Sequence, residues 1–190
     1  MNMKRLTCLL VAVGALVLVT TLPSRQTRSA TPEEFRFDAA NLKDKTLWTQ
    51  VNAGPYYVPS SLAALCAAPM PANYVAERKA NPHAATYIMV YVNNVGRKAM
   101  FAKELKQFPK GSIIVKEKVA VDSATRTPLL YTLMTKRERG YNPAVGDWEF
   151  SVVSGNGTQL QATGKLENCQ ACHVAQSDSD FVFAPYRNLK

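Results

Sequence analysis

The stretch at residues 84–92, AATYIMVYV, decides how this chain folds. It is rich in the aromatic and β-branched residues that favour strands. Its odd-numbered and even-numbered positions are both apolar from residue 87 onward, so both faces of an extended chain would avoid water. Such a pattern is typical of a strand in the middle of a sheet that is covered on both sides.

Further elements follow this strand at short intervals. Asn93 and Asn94 are good helix caps, and they predict a helix over residues 95–106. Turn-forming segments such as FPKG and GNG separate four more predicted strands, at residues 112–120, 128–136, 147–153 and 158–163. Consecutive strands with short connections predict an α+β fold, with an antiparallel sheet of about five strands and flanking short helices.

A C-x-x-C-H motif lies near the C-terminus, in a helical turn predicted over residues 165–176. It consists of Cys169, Cys172 and His173. Residues three and four apart share a helix face, so both cysteines can reach one edge of a porphyrin while the histidine reaches the iron. The pattern is the attachment motif of c-type haem. We therefore predict one covalent haem c, with His173 as the axial ligand of its iron.

Three other interpretations of the motif remain open. Cys169 and Cys172 could form a disulfide, although the surrounding βαβ context of a thioredoxin-like site is missing. Together with His173 and Cys66 they could bind zinc, although adjacent Cys and His ligands fit one tetrahedral ion poorly. The match could also be chance.

The position of the motif argues against a sealed electron carrier. Only 17 residues follow His173, and none of them is Met, which is the usual second ligand of small electron-transfer cytochromes. His83 is the only other histidine, and a turn or hydrogen-bonding role suits it better than iron ligation. We therefore expect an open iron position.

The N-terminus has the features of an export signal. Residues 1–5, MNMKR, are basic, and residues 6–22 are apolar without a charge. We predict a signal peptide or uncleaved N-terminal anchor over residues 1–30, a linker over 31–45 and a haem domain over 46–190. Covalent haem attachment needs thiols in an extracytoplasmic compartment, so we expect a periplasmic protein.

The charge distribution excludes one class of partner. The formal net charge is +9, but residues 1–30 contribute four basic residues and no acidic one. No dense basic run with interleaved aromatic residues occurs, so we expect no nucleic-acid partner. The modest basic excess of the remainder would suit an acidic electron-transfer partner.

The chain resembles the cytochrome P-460 family, which includes cytochrome c-prime beta, over residues 45–187. The resemblance rests on several ordered motifs: VYVN at 90–93, FPxG at 108–111, VKE at 115–117, KRExGY at 136–141, GDWEF at 146–150, LExCxxCH at 166–173 and DxVF at 180–183. It implies an antiparallel sheet, a proximal histidine, an open distal position and a homodimer. It also implies oxidation of hydroxylamine or nitric oxide, or binding of small nitrogen-oxide ligands without turnover. A simple electron-transfer role remains an alternative.

The resemblance gives Lys116 a special role. In true cytochromes P-460 a lysine at the matching position of the VKE segment is covalently joined to the porphyrin. Alternation along 112–120 places Lys116 on one strand face with Ile114 and Lys118, and this face could be the haem side. An ordinary solvent-exposed lysine is the competing interpretation.

The chain departs from the family pattern at two positions. Ile88 stands where hydroxylamine-oxidising members carry a distal arginine, and Thr132 stands near an expected pocket carboxylate. Because proton removal needs a base within reach, Glu117 and Glu138 are candidate substitutes, although a surface position suits both better. Three aromatic residues would instead line an apolar distal face: Tyr87, Phe101 and Phe108.

Overall fold

The computed structural model describes residues 37–59, 86–121, 124 and 126–187. The chain divides into the units Met1–Phe35 and Arg36–Lys190, and every described residue belongs to the second. The predicted export segment, Cys66 and His83 lie outside the described residues. Within those residues, no helix has both the length and the apolar character needed to cross a membrane.

The predicted α+β fold with an antiparallel sheet is confirmed, with seven strands in the described part of the chain rather than about five. They are β1 (Trp48–Gln50), β2 (Tyr56–Val58), β3 (Thr86–Asn93), β4 (Ile113–Ala120), β5 (Pro128–Lys136), β6 (Trp148–Ser154) and β7 (Leu160–Gly164). The strand order is β1-β3-β4-β5-β6-β7, and β2 pairs with the other half of β3. The two strands that the sequence pattern missed, β1 and β2, have three residues each, too few to show a period.

Strand β3 occupies the inner position that its sequence predicts. β4 pairs with all of β3 except Asn93 on one side, while β1 and β2 share the other side. Val90 and Val92 are fully buried on one face of the sheet, and Tyr91 is buried on the opposite face. The unbroken apolar run therefore reflects burial on both faces.

Helix α1 (Asn94–Met100) begins one residue before the predicted start and ends six residues before the predicted end. The Asn93 side chain accepts hydrogen bonds from the backbone N–H groups of Gly96 and Ile113, at 3.0 Å each, so it caps the helix and ties it to β4. Leu105, which suggested a longer helix, is buried from a non-helical segment instead. A side chain at Gly96 would collide with Val92 and Ser112. Because glycine has no side chain, the helix can pack this closely on the sheet.

Two apolar clusters cover the two faces of the sheet. The first contains Trp148 and Phe150, and the C-terminal segment packs onto it through Val182 and Tyr186. The second lies on the opposite face and includes Leu42, from a 3₁₀ helix at Ala39–Lys43 within the predicted linker. The face covered by the C-terminal segment is the one that carries the candidate site.

Candidate haem site

Helix α2 (Glu167–His173) carries the C-x-x-C-H motif directly after β7. A 3₁₀ helix at Val174–Ser179 follows it, with a kink at Gln176, the predicted end of the helical turn, where φ is −110° and ψ is 31°. Cys169 and Cys172 are part-buried and not joined in a disulfide. With His173 they line one cleft between α2 and the sheet.

The opposite wall of this cleft is the centre of the sheet. Strand β4 contributes Ile114, Lys116 and Lys118, as the predicted alternation requires. Strand β5 contributes Thr132, which lies opposite Lys116 in the sheet register, and β6 contributes Phe150. The three motif residues and Lys116 therefore line the same cleft, although more than 50 residues separate them in sequence.

The donor set in this cleft fits a c-type haem. Two thiols one helical turn apart and an adjacent imidazole are the groups that covalent attachment and axial ligation need. The rest of the cleft is largely apolar, with Met134 and Phe150 among its lining residues. A porphyrin ring is itself apolar, so this surface suits it.

The position of the histidine proton follows from one hydrogen bond. His173 Nδ1 lies 2.6 Å from the backbone oxygen of Phe181. Because a carbonyl oxygen can only accept, Nδ1 must carry the hydrogen. The lone pair is therefore on Nε2, where an iron atom could use it.

The surroundings of His173 keep the ring neutral. Phe150 and Phe183 flank it, with ring centroids 5.2 and 5.0 Å away. Burial, assisted by the positive charge of Lys116, lowers the pKa of His173 to about 3, although the hydrogen bond to Phe181 opposes the shift. At neutral pH the imidazole is thus ready to act as a ligand.

Lys116 does not have the surroundings of an ordinary surface lysine. Its Nζ lies 5.4 Å from the ring centroid of Phe183 and 5.7 Å from that of Tyr186. These distances are in the range of cation–π interactions. The part-buried amine is therefore held on the haem side of the sheet by the C-terminal segment.

Several residues at the site gave no sequence signal. Tyr186 is buried beside Lys116, and its hydroxyl has no hydrogen-bond partner in the described part of the chain. Burial raises the pKa of that hydroxyl. No sequence motif could identify the Phe181 carbonyl, because every residue has a backbone carbonyl. Asn168 also lines the cleft.

Neither candidate base is at the site, so the hypothesis that they replace the pocket carboxylate is wrong, and the surface interpretation is confirmed for Glu138. Glu117 lies on the opposite face of the sheet, where its Oε2 accepts a hydrogen bond of 3.2 Å from the hydroxyl of Tyr91. Glu138 is exposed and pairs with Lys110 at 3.6 Å. Among the described residues that line the cleft, none is Asp or Glu.

The three aromatic residues expected at an apolar distal face do not line this cleft either. Tyr87 is exposed on the far face and contacts Tyr57, with ring centroids 5.8 Å apart. Phe108 is buried against Trp148 at 5.4 Å, and Phe101 packs at the edge of the first core cluster. Alternation explains Tyr87, because it shares a strand face with Tyr91 rather than with the cleft.

The two departures from the family pattern lie on the site face of the sheet. Ile88 is buried in the first core cluster, and Thr132 is part-buried in the cleft wall. Neither side chain can act as a base at neutral pH. The zinc interpretation gains no support: the described ranges contain no group of three His, Cys, Asp or Glu that could hold a metal ion, and Cys66 lies outside them.

Comparison with known protein families identifies the family of this chain. The sequence model of the family described as Cytochrome P460 matches residues 71–184, more than half of the chain. This range includes the cleft-lining strands, the C-x-x-C-H motif and the segment that contacts His173 and Lys116. No curated protein matches the chain.

Proposed function

This chain belongs to the cytochrome P460 family of haem proteins, and we propose that it is an exported c-type cytochrome with one covalent haem and an open iron position. At that position it would oxidise hydroxylamine or nitric oxide. The observation that carries this proposal is the meeting of Lys116, Cys169, Cys172 and His173 in one cleft.

Each of the four side chains has a defined task in this proposal. Cys169 and Cys172 would hold the haem through thioether bonds, and Nε2 of the neutral His173 would ligate the iron. Lys116, held at the cleft by Phe183 and Tyr186, would carry the lysine–porphyrin crosslink. Formation of that bond replaces one amine N–H and one porphyrin C–H, so an external two-electron oxidant would have to accept the two electrons. When bound, haem supplies one-electron chemistry and a site for small nitrogen-oxide ligands.

The residues around the cleft control access and environment. Phe150 and Phe183 keep water away from His173, so the imidazole stays neutral and its hydrogen bond to Phe181 stays strong. Electrons removed from a substrate would pass to a periplasmic electron-transfer partner. The basic excess of the chain suits an acidic one, and we also propose a homodimer by analogy with the family.

The optical spectrum of the purified ferric and ferrous protein tests this proposal, combined with peptide mass mapping. We expect a high-spin ferric spectrum, a red-shifted ferrous Soret band and a Lys116 peptide that carries the porphyrin. The Lys116→Gln variant should lose both the red shift and the crosslinked peptide, whereas Lys118→Gln, on the same strand face, should keep them. A low-spin six-coordinate ferric spectrum would instead indicate a simple electron carrier.

A second function is favoured by the chemistry of the cleft lining. With no Asp or Glu among the described lining residues and an isoleucine at position 88, the cleft offers no evident base to deprotonate hydroxylamine. The protein would then bind or scavenge nitric oxide without turnover. Steady-state oxidation of hydroxylamine with an artificial electron acceptor separates the two functions, because measurable turnover excludes pure scavenging.

Export is tested separately from chemistry. We propose that residues 1–30 direct the chain to the periplasm, either as a cleaved signal peptide or as a retained anchor. Cell fractionation followed by N-terminal sequencing distinguishes the two, since a retained anchor leaves Met1 in the membrane fraction. Recovery of the haem-free chain in the cytoplasm would contradict the proposal.

A further inference from the structure

A buried ion pair lies next to the segment that contacts His173. The ammonium of Lys136 lies 2.6 Å from each carboxylate oxygen of Asp180. The two side chains are only 6 and 8% exposed. The Nζ of Lys136 also lies 4.9 Å from the ring centroid of Trp148. The proposed function assigns no role to this pair.

Asp180 is held by more than the ion pair. Its Oδ2 accepts a hydrogen bond from the backbone N–H of Phe108 at 2.7 Å, and its backbone oxygen accepts one from Trp148 Nε1, also at 2.7 Å. Trp148 is fully buried. Contacts from three separate segments, namely the loop before β4, strand β5 and strand β6, therefore hold Asp180 in place.

The backbone at this point has an uncommon conformation. Asp180 and Phe181 have φ angles of 52° and 64°, in the left-handed region that non-glycine residues seldom adopt. Two consecutive residues of this kind persist only where their surroundings hold them. Gly146 leaves room for this turn, because a side chain there would approach Phe181 to 2.7 Å and Asp180 to 2.8 Å.

The turn at Asp180 and Phe181 positions the backbone oxygen that contacts His173. The residue after Asp180 is Phe181, whose carbonyl oxygen accepts the hydrogen bond from His173 Nδ1. The direction of that carbonyl depends on the left-handed turn, and the turn depends on the contacts of Asp180. We propose that Lys136 and Asp180 are positioning residues that hold the Phe181 carbonyl against His173 and thereby set how strongly His173 donates electrons to iron.

This inference rests on the proposed function, since it assigns His173 to the iron. A strong hydrogen bond from Nδ1 makes the imidazole a more basic ligand. A more basic axial ligand strengthens the iron–histidine bond and lowers the reduction potential of the iron. Weakening the Lys136–Asp180 contact should therefore weaken that bond and raise the potential, although neither residue touches the imidazole.

The test uses the haem-loaded double variant Lys136→Met/Asp180→Asn. Both charges are removed together, because a single substitution would leave the other charge buried without its partner. Asn tolerates the left-handed conformation and can still accept the hydrogen bond from Phe108. The readouts are the iron–histidine stretching band of the ferrous protein by resonance Raman spectroscopy and the reduction potential.

The chain offers a matched control. Arg137 and Glu149 form a neighbouring ion pair of 2.7 Å at the surface, and neither contacts the 180–181 turn in any hydrogen bond or ion pair. In the double variant of the buried pair, the band should move to lower frequency and the potential should rise. In Arg137→Gln/Glu149→Gln, both should match the wild type.

Each outcome decides the matter. An unchanged band and potential in a folded Lys136→Met/Asp180→Asn protein would overturn the inference. Failure of that variant to fold would also overturn it, because the pair would then serve the fold as a whole rather than the carbonyl. If the wild-type protein binds no haem at His173, the proposed function fails before the variants are compared.

Discussion

The buried pair of Lys136 and Asp180 makes a quantitative prediction about stability. Removal of one partner from a buried ion pair leaves an uncompensated charge and typically costs about 3–5 kcal/mol. Here both side chains are less than 10% exposed, and in Lys136→Met the Phe108 N–H would be the one donor to the carboxylate left among the described residues. We therefore expect Lys136→Met to reduce the free energy of unfolding by about 3–5 kcal/mol.

A double-mutant cycle isolates the interaction from other effects of the substitutions. Lys136→Met/Asp180→Asn has no unpaired charge, so it should be only about 1 kcal/mol less stable than the wild type, or equally stable. Asp180→Asn alone leaves the buried ammonium unpaired and should also cost about 3–5 kcal/mol, so the cycle gives a coupling free energy of at least about 5 kcal/mol. Urea denaturation followed by circular dichroism measures each corner of the cycle.

The Arg137–Glu149 pair gives a reference coupling free energy for a more exposed ion pair. Its N–O distance is 2.7 Å, but its side chains are 37 and 18% exposed. Water screens such a pair, so its coupling free energy should be about 1 kcal/mol or less. If the two cycles gave equal couplings, burial would not be what strengthens the Lys136–Asp180 contact, and the reasoning would be refuted.

Two further predictions concern the same region. Gly146→Ala should destabilise the protein by at least about 1 kcal/mol, because φ is +65° and the new Cβ would meet Phe181. Gly54→Ala is the control, since no atom lies within 4 Å of its new Cβ. Equal unfolding midpoints for the two variants would contradict the close packing at Gly146. His173 should make the haem-free protein less stable in acid, since its pKa falls from 6.5 to about 3 on folding and the unfolded chain therefore binds its proton first. Stability should fall by about 2 kcal/mol between pH 7 and pH 5, and the loss should shrink in His173→Gln; an equal loss in that variant would rule out His173 as its source.

Much of the fold could be predicted from the sequence, because its strands are long enough for a period to appear. The alternation in β4 correctly put Lys116 on one face with Ile114, and the structure brings that face to the cleft. Asn93 was recognised as a helix cap from its residue type. Strands β1 and β2, defined above, were missed because three residues cannot show alternation.

The errors at the site have a different origin. Glu117 is a candidate base by residue type alone, but it alternates with Lys116 and therefore lies on the other face. Tyr87 was misplaced in the same way. The Lys136–Asp180 pair spans 44 residues, and a lysine is normally read as exposed, so no local pattern could reveal it. The Phe181 carbonyl has no side-chain signature at all.

The central claim is that Cys169 and Cys172 carry a covalent haem whose iron is held by His173. The most direct test is the mass of the purified exported protein under denaturing conditions. We predict that the mass of one haem remains attached to the wild-type chain and is lost in Cys169→Ser/Cys172→Ser. A wild-type chain that shows only the mass of its polypeptide after denaturation would contradict the claim.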